Sequence, residues 1–187
     1  EMILRDVSNQ ISSTLNLEDI KYHIVNQIGK LFSADRVAIA YYDYDINNYI
    51  ITEKGEYRSS DSVKTFVGVD FVDIPGFAEY IKDEHFQGKD IIFSNLDEYI
   101  KEKKLEKTGI EKFYKEFGFI SSIAMNIYYG KIFLGDLVIT FEHPRGFTDG
   151  EIKFIRILAD QAGVAFHQSE LYSAIKQQAE KEVLMRN

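Results

Sequence analysis

The sequence predicts an α+β domain. Its core is an antiparallel sheet of five to six strands, with long N- and C-terminal helices on one face and short lid helices over a pocket on the other. Three observations predict it. Both ends of the chain carry helical apolar periodicity, two strand-forming stretches around residue 130 alternate, and short aromatic helices crowd the middle. Helices, a strand pair, small helices, a second strand pair and a last helix is the order of an antiparallel sheet covered on both sides.

The C-terminal helix organises the rest. Thr148 is placed to cap it, and Glu151, three residues on, to close a capping box. No proline interrupts the stretch to Asn187, so at ~1.5 Å per residue the helix extends roughly 55–60 Å. From Phe154 to Phe166 apolar residues cover most of its circumference, as in a helix buried on two sides. Beyond Glu170 only a narrow seam persists: Tyr172, Ile175, Ala179 and Val183, at alternating spacings of three and four, the pattern of a coiled coil.

At the other end Leu4, Val7 and Ile11 make a matching seam. The two seams, together with Ala162 and Ala165, are the expected surface of a homodimer. The chain then divides into an N-terminal linker helix (1–15), a domain (16–170) and an outgoing helix (171–187). It stops without a cap, as a piece of a longer protein would.

Between the ends, Asn16 caps a helix whose core stripe is Leu17, Ile20, Ile24, Ile28 and Leu31. Residues 36–43 alternate as a strand, 45–48 turn, and 49–57 return as a second strand. Residues 63–71 are expected to be extended. Pro75 and Gly76 open a short helix that runs to His85, and Ile91–Phe93 is a short strand. Asn95 caps the next helix, and Thr108–Gly109 starts another, which carries Ile110, Phe113, Tyr114 and Phe117 on one face before Gly118 ends it. Strands 121–129 and 132–142 follow, joined by Gly130–Lys131.

Alternation gives these last strands two unlike faces. One carries Ile123, Met125, Ile127, Leu137, Ile139 and Phe141, and suits close packing on the long helices. The other carries Ser122, Ala124, Asn126, Asp136, Val138 and Thr140, and the first strand adds Ala38, Ala40 and Tyr42 to it. Small residues on a floor leave room for a cavity under a roof of Phe77, Tyr80, Phe113 and Phe117, with Phe93 and Asn95 at its rim. Two readings of this face stay open: a ligand pocket, or rings that fill the space themselves.

The bulk numbers narrow the function. The chain has 187 residues, 45% of them hydrophobic, which suits one domain with extensions. A net charge of −8 repels nucleic acid and anionic membrane. Cys is absent, which removes thiolate metal sites, cysteine nucleophiles and thioether-linked cofactors and agrees with a reducing, cytoplasmic setting. No run of 18 apolar residues suggests a membrane span. Glu79 and Asp83 belong to a solvated helix face, and no nucleophile, phosphate loop or metal spacing stands out, so an enzyme is not expected.

Four stretches resemble the GAF domain, the small-molecule sensor module of bacterial signalling proteins. They are LNLEDIKYHIVNQIGKLFSADRVAIAYYD, FGFISSIAMNIYYGKIFLGDLVITF, GFTDGEIKFIRILADQAGVAFHQSELY and the helical ends. The close is the most specific of them, and residues 58–118 match weakly. The resemblance implies a sheet between a helical bundle and a ligand-enclosing lid.

It also excludes particular ligands. Members that attach a bilin use a Cys followed by His, where this chain has Gly109 and Ile110, so covalent attachment is out. Relatives that reduce methionine sulfoxide need cysteines. The cyclic-nucleotide signature is spaced differently from NLDE at 95–98. Haem needs an axial His; of His23, His85, His143 and His167 only His85 lies in the lid, beside Asp83 and Glu84, and there it is expected to be a solvated helix-end residue, so haem is disfavoured.

The function expected is that of a regulatory sensor. It binds an unidentified small molecule non-covalently and signals through dimeric terminal helices to an output domain such as a histidine kinase or diguanylate cyclase. The alternative is a dimerisation or spacer module with a self-filled pocket.

Overall fold

The computed structural model describes residues 16–186. Leu4, Val7 and Ile11 of the expected dimer surface lie outside the described residues. Within them, helix α1 (Leu17–Phe32) begins at Asn16, whose side chain accepts the Asp19 N–H at 3.1 Å. It ends at Ser33 in the left-handed region. Ile20, Ile24 and Ile28 are buried as the periodicity predicts, but Leu31 is exposed and Val25 takes its place in the core.

The strands are β1 (Arg36–Asp43), β2 (Asn48–Ile50), β3 (Glu56–Arg58), β4 (Ile91–Phe93), β5 (Ser121–Tyr129) and β6 (Ile132–Phe141). They form one antiparallel sheet in the order β2-β1-β6-β5-β4, with β3 also paired to β1. The single strand expected over 49–57 is therefore two. A 3₁₀ turn at Glu53–Gly55 breaks it, and its halves pair with opposite ends of β1. The expected extended run at 63–71 is irregular and leads into a second 3₁₀ turn, Phe71–Asp73.

Three short helices, α2 (Phe77–Glu84), α3 (Leu96–Glu102) and α4 (Gly109–Glu116), pack on one face of the sheet. Asn95 and Thr108 cap the last two by accepting the N–H groups of Glu98 and Glu111. Helix α5 (Asp149–Arg186) spans 38 residues, roughly 57 Å at 1.5 Å per residue. Its capping box closes both ways: Thr148 Oγ1 accepts the Glu151 N–H at 3.1 Å, and Glu151 accepts the Thr148 N–H at 3.0 Å.

The two faces of the sheet have separate cores. On the helical side Val37, Ile39, Ile123, Met125, Ile127, Leu137, Ile139 and Phe141 pack with α1 and α5. On the lid side Ala38, Ala40 and Ala124 pack with the rings of the short helices. A bulge interrupts the alternation, because Ile127 pairs with Gly135 while Tyr128 pairs with Phe133. It puts Phe133 under the lid and Leu134 in the helical core. Gly135, at φ 147°, approaches β1 so closely that a Cβ would lie 2.1 Å from the Ala40 carbonyl oxygen. Only glycine fits there, and Asp136 follows it directly onto the lid face.

Helix α5 is buried on one side more than on two. Ile155, Leu158, Ala159 and Phe166 face the sheet, while Ile157 and Val164 are exposed. Ala162 and Ala165, expected at a dimer surface, are 0% and 6% exposed and belong to the domain's own core. The helix lies this close because Gly163 meets the backbone of β5 at Tyr128. Tyr172, Ile175, Ala179 and Val183 are exposed on the part of α5 that leaves the domain. No helix among the described residues is long and apolar enough to cross a membrane.

Candidate functional site

Between the sheet and the lid lies a cavity of about 60 Å³. Of the residues expected to line it, Ala40, Ala124 and Val138 form its floor, and Phe77, Tyr80 and Phe113 its roof. The rings of Tyr49, Phe66, Phe71, Tyr114 and Phe119 reach it as well, with Ile51, Ile81 and Ile91. Most of the space a ligand would need is thus occupied by side chains. Phe71 and Phe77 lie 5.4 Å apart and Phe66 and Phe113 6.2 Å apart, within the range of favourable ring contacts.

The remaining expected residues sit elsewhere. Asn95 caps α3, and Phe93 stacks on Tyr99 at 4.5 Å. Tyr42 lies over an outer groove of about 100 Å³ between α2 and β2. Ser122 is buried opposite Phe93, where β5 pairs with β4. Thr140 and the Phe117 carbonyl are held by Arg36, and Asn126 is held by His85.

Arg36 opens β1 and is 1% exposed. Its guanidinium donates to the carbonyls of Lys64 and Phe117, the latter at 3.1 Å, and to Thr140 Oγ1 at 3.1 Å. It also lies 4.2 Å from the centre of the Phe66 ring, a cavity residue. Burial lowers its pKa to about 10, which leaves it charged at neutral pH. One side chain thus ties the sheet to the lid loop and to the end of α4.

The polar end of the cavity is a cluster of His85, Asp136, Asn126 and Tyr49. Asp136 is 2% exposed, and its Oδ2 accepts the Tyr49 hydroxyl at 2.7 Å. His85, the residue after α2, is 3% exposed. Its Nδ1 lies 3.0 Å from Asp136 Oδ1 and is also hydrogen-bonded to Asn126 Oδ1. His85 is therefore not the solvated helix-end residue that its acidic neighbours Asp83 and Glu84 suggest; the chain turns it under the lid, onto the floor of the sheet. Burial raises the Asp136 pKa to about 6, against the opposing pull of His85 and the Tyr49 hydroxyl.

Above this end the hydroxyls of Tyr80, Tyr99 and Tyr114 meet, Tyr80 to Tyr114 at 2.8 Å and Tyr80 to Tyr99 closer still. Burial raises all three pKa values, so they are neutral donors and acceptors. Sequence reasoning missed His85, Asp136 and Tyr49 as site residues. The signal for Asp136 was present: it is a charged position in the middle of a strand, on the polar face of the last two strands.

A GAF model matches residues 16–166, and the chain belongs to the GAF domain family. Domains of this family are generally sensory or regulatory rather than catalytic. No curated protein matches the sequence. Among solved structures, one similar chain is a far-red-absorbing dark state with bound biliverdin IXα, at 22% identity and a TM-score of 0.73, covering 90% of this chain and 99% of that one. A phycoerythrobilin-bound GAF domain from a cyanobacterial phytochrome has 21% identity and a TM-score of 0.71, covering 92% and 96%. The GAF domain of an Acinetobacter phosphoenolpyruvate-protein phosphotransferase has 16% identity and a TM-score of 0.69, covering 91% and 93%. At these identities the likeness is one of fold.

The residues present do not fit a covalently held bilin. The chain has no cysteine, and a Cβ on Gly109 would lie 2.4 Å from the Pro75 carbonyl oxygen. The cavity is also well below the roughly 300–1,000 Å³ of an organic ligand site. Among the described residues no group of three or more His, Asp or Glu side chains could hold a metal ion.

Proposed function

We propose that this domain is the sensor of a larger cytoplasmic signalling protein and binds a small molecule non-covalently between the sheet and the lid helices. The observation that carries the reading is Asp136: a carboxylate on a sheet floor, nearly fully buried, beside a cavity lined by aromatic rings. A spacer has no use for a buried charge there, since an apolar residue would pack at no desolvation cost. The ligand acts by choosing between two packings of the lid, and a differential affinity of ~1–3 kcal/mol is enough to pass the choice on.

The outgoing part of α5 carries the signal as a small shift. Two copies pair through Tyr172, Ile175, Ala179 and Val183 together with the N-terminal seam, and an attached histidine kinase or diguanylate cyclase reads the change. Neighbours of the same fold hold bilins; this domain takes a smaller molecule without a covalent bond. Native mass spectrometry of the chain as purified tests the reading, with a dimer carrying a small-molecule adduct as the expected species.

One observation favours the other reading, a spacer with a self-filled pocket: the cavity is only about 60 Å³. A dimer that carries no adduct by mass spectrometry, with no melting shift across a metabolite library, would decide for the dimerisation or spacer module.

A further inference from the structure

The polar cluster at the end of the cavity is imperfectly matched, with one acceptor and one donor left over. His85 Nδ1 faces two acceptors, Asn126 Oδ1 and Asp136 Oδ1, and can carry a single hydrogen. Asp136 Oδ1 is buried, and its one polar neighbour is His85 Nδ1 at 3.0 Å, which it shares with Asn126 Oδ1. Asn126 Nδ2 is buried and unpaired in the same cluster. The arginines that reach the sheet are committed elsewhere: Arg36 to Lys64, Thr140 and Phe117, and Arg156 to Asp90, Asp160, Met125 and the Asn126 carbonyl. A buried carboxylate oxygen that must share its one donor with a second acceptor is under-satisfied, and a ligand that brings a donor of its own makes good the deficit.

The rest of the lining says what that ligand is. Apart from Asp136, His85 and the neutral hydroxyls of Tyr49, Tyr80 and Tyr114, the cavity offers aliphatic side chains and rings, with Phe66, Phe71, Phe77 and Phe113 around it. Rings attract cations over their faces, and a single carboxylate among rings selects for positive charge and against negative charge. Resting on the sensor reading given above, we propose that the ligand is a small organic cation, an ammonium or amidinium on an apolar body, whose charged nitrogen docks on Asp136 Oδ1.

The body has a place to go. The outer groove of about 100 Å³ shares Tyr49, Phe77 and Ile81 with the inner cavity, so these side chains are the wall between the two. Phe77 and Ile81 both ride on α2. That helix is bounded by Gly76 and Gly88, at φ 80° and 74°, where a Cβ would touch nothing within 4 Å. Outward movement of α2 joins groove and cavity into one site, with the head group at Asp136 and the apolar body under Phe86 and Tyr42. His85, just past the end of α2, leaves Asp136 in the same movement, and the ligand nitrogen replaces it.

The test is calorimetric titration and circular-dichroism melting of the 187-residue chain with three cations that carry N–H donors: benzylammonium, phenethylammonium and benzamidinium. Each is paired with a neutral isostere and with the matching carboxylate. The expected result is at least one cation that raises the melting temperature and binds tenfold or more tightly than its neutral partner, with no response to the carboxylates. Asp136→Asn, which keeps the shape and the Tyr49 hydrogen bond, should abolish that preference while melting cooperatively. The proposal is overturned if no cation binds, if neutral isosteres bind equally well, or if Asp136→Asn keeps the preference. A neutral or anionic molecule found in the purified domain by native mass spectrometry overturns the cation alone and leaves the sensor reading standing. A chain that binds nothing loses both.

Discussion

His85 Nδ1 lies 3.0 Å from Asp136 Oδ1, and this contact joins the lid to the floor of the sheet. One partner sits just past the end of the short helix α2; the other sits on the strand that pairs with both β1 and β5. Separating them leaves a buried carboxylate without its imidazole neighbour, so in the sensor proposed above this contact would couple occupancy of the cavity to the position of the lid.

Stability should report on Asp136 through pH. Its pKa rises from 3.8 in the unfolded chain to about 6 when folded, chiefly through burial. Below the lower value both states hold the proton and no cost arises. Between the two the unfolded chain gives it up first, and above the upper value the folded domain carries the full cost of the ion, on the order of 3 kcal/mol. The groups that face it are His85 after α2, Tyr49 on β2, Asp90 before β4 and Arg156 on α5. Asp136→Asn removes this loss, so its melting temperature relative to the parent should climb between pH 4 and 6.5 and stay level below pH 4. A difference independent of pH contradicts the assignment.

Arg36→Met should destabilise the domain by about 3 kcal/mol in urea unfolding. The methionine keeps the apolar packing on Phe66 but leaves the carbonyls of Lys64 and Phe117 without donors. If Arg36 only fills space, the loss will fall under 1 kcal/mol.

Gly109→Ala tests how closely the lid helices fit each other. The added methyl would sit 2.4 Å from the Pro75 carbonyl oxygen, which fixes the start of α4 against the chain entering α2. Overpacking of this kind costs roughly 1–3 kcal/mol. A melting temperature equal to the parent's would mean that α2 and α4 yield freely.

Ile175→Glu and Val183→Glu separate the domain from its outgoing helix. Both positions are exposed and touch no core, so the stability of the folded domain should change by less than about 0.5 kcal/mol. The dimer proposed above should nevertheless dissociate, read as a halved mass by light scattering. A mass unchanged by both substitutions removes that seam from the interface.

The helix starts and the two-faced sheet were legible in the sequence because their causes are local. A capping box needs only Thr148 and Glu151, three residues apart, and the alternation of Ile123, Met125 and Ile127 follows from strand geometry alone. The break in the strand over 49–57 was not legible. Gly55 turns there against Lys21, a neighbour brought by α1 from far along the chain. His85 failed for the same reason: its acidic neighbours in sequence imply water, but its partners lie on β5 and β6.

By itself, then, the sequence determined which face of each element is apolar, where helices begin, and that no thiol chemistry is available, since periodicity, capping and composition act within a few residues. Only the tertiary structure decided that Ala162 and Ala165 are core, that Phe133 crosses to the lid side, and that Asp136, His85 and Tyr49 converge on one cavity. Convergence is a property of strand register, which sets Asp136 opposite Asn126 and Ala40, and the crossing of Phe133 comes from the bulge at Leu134; both depend on pairings between residues far apart in the chain.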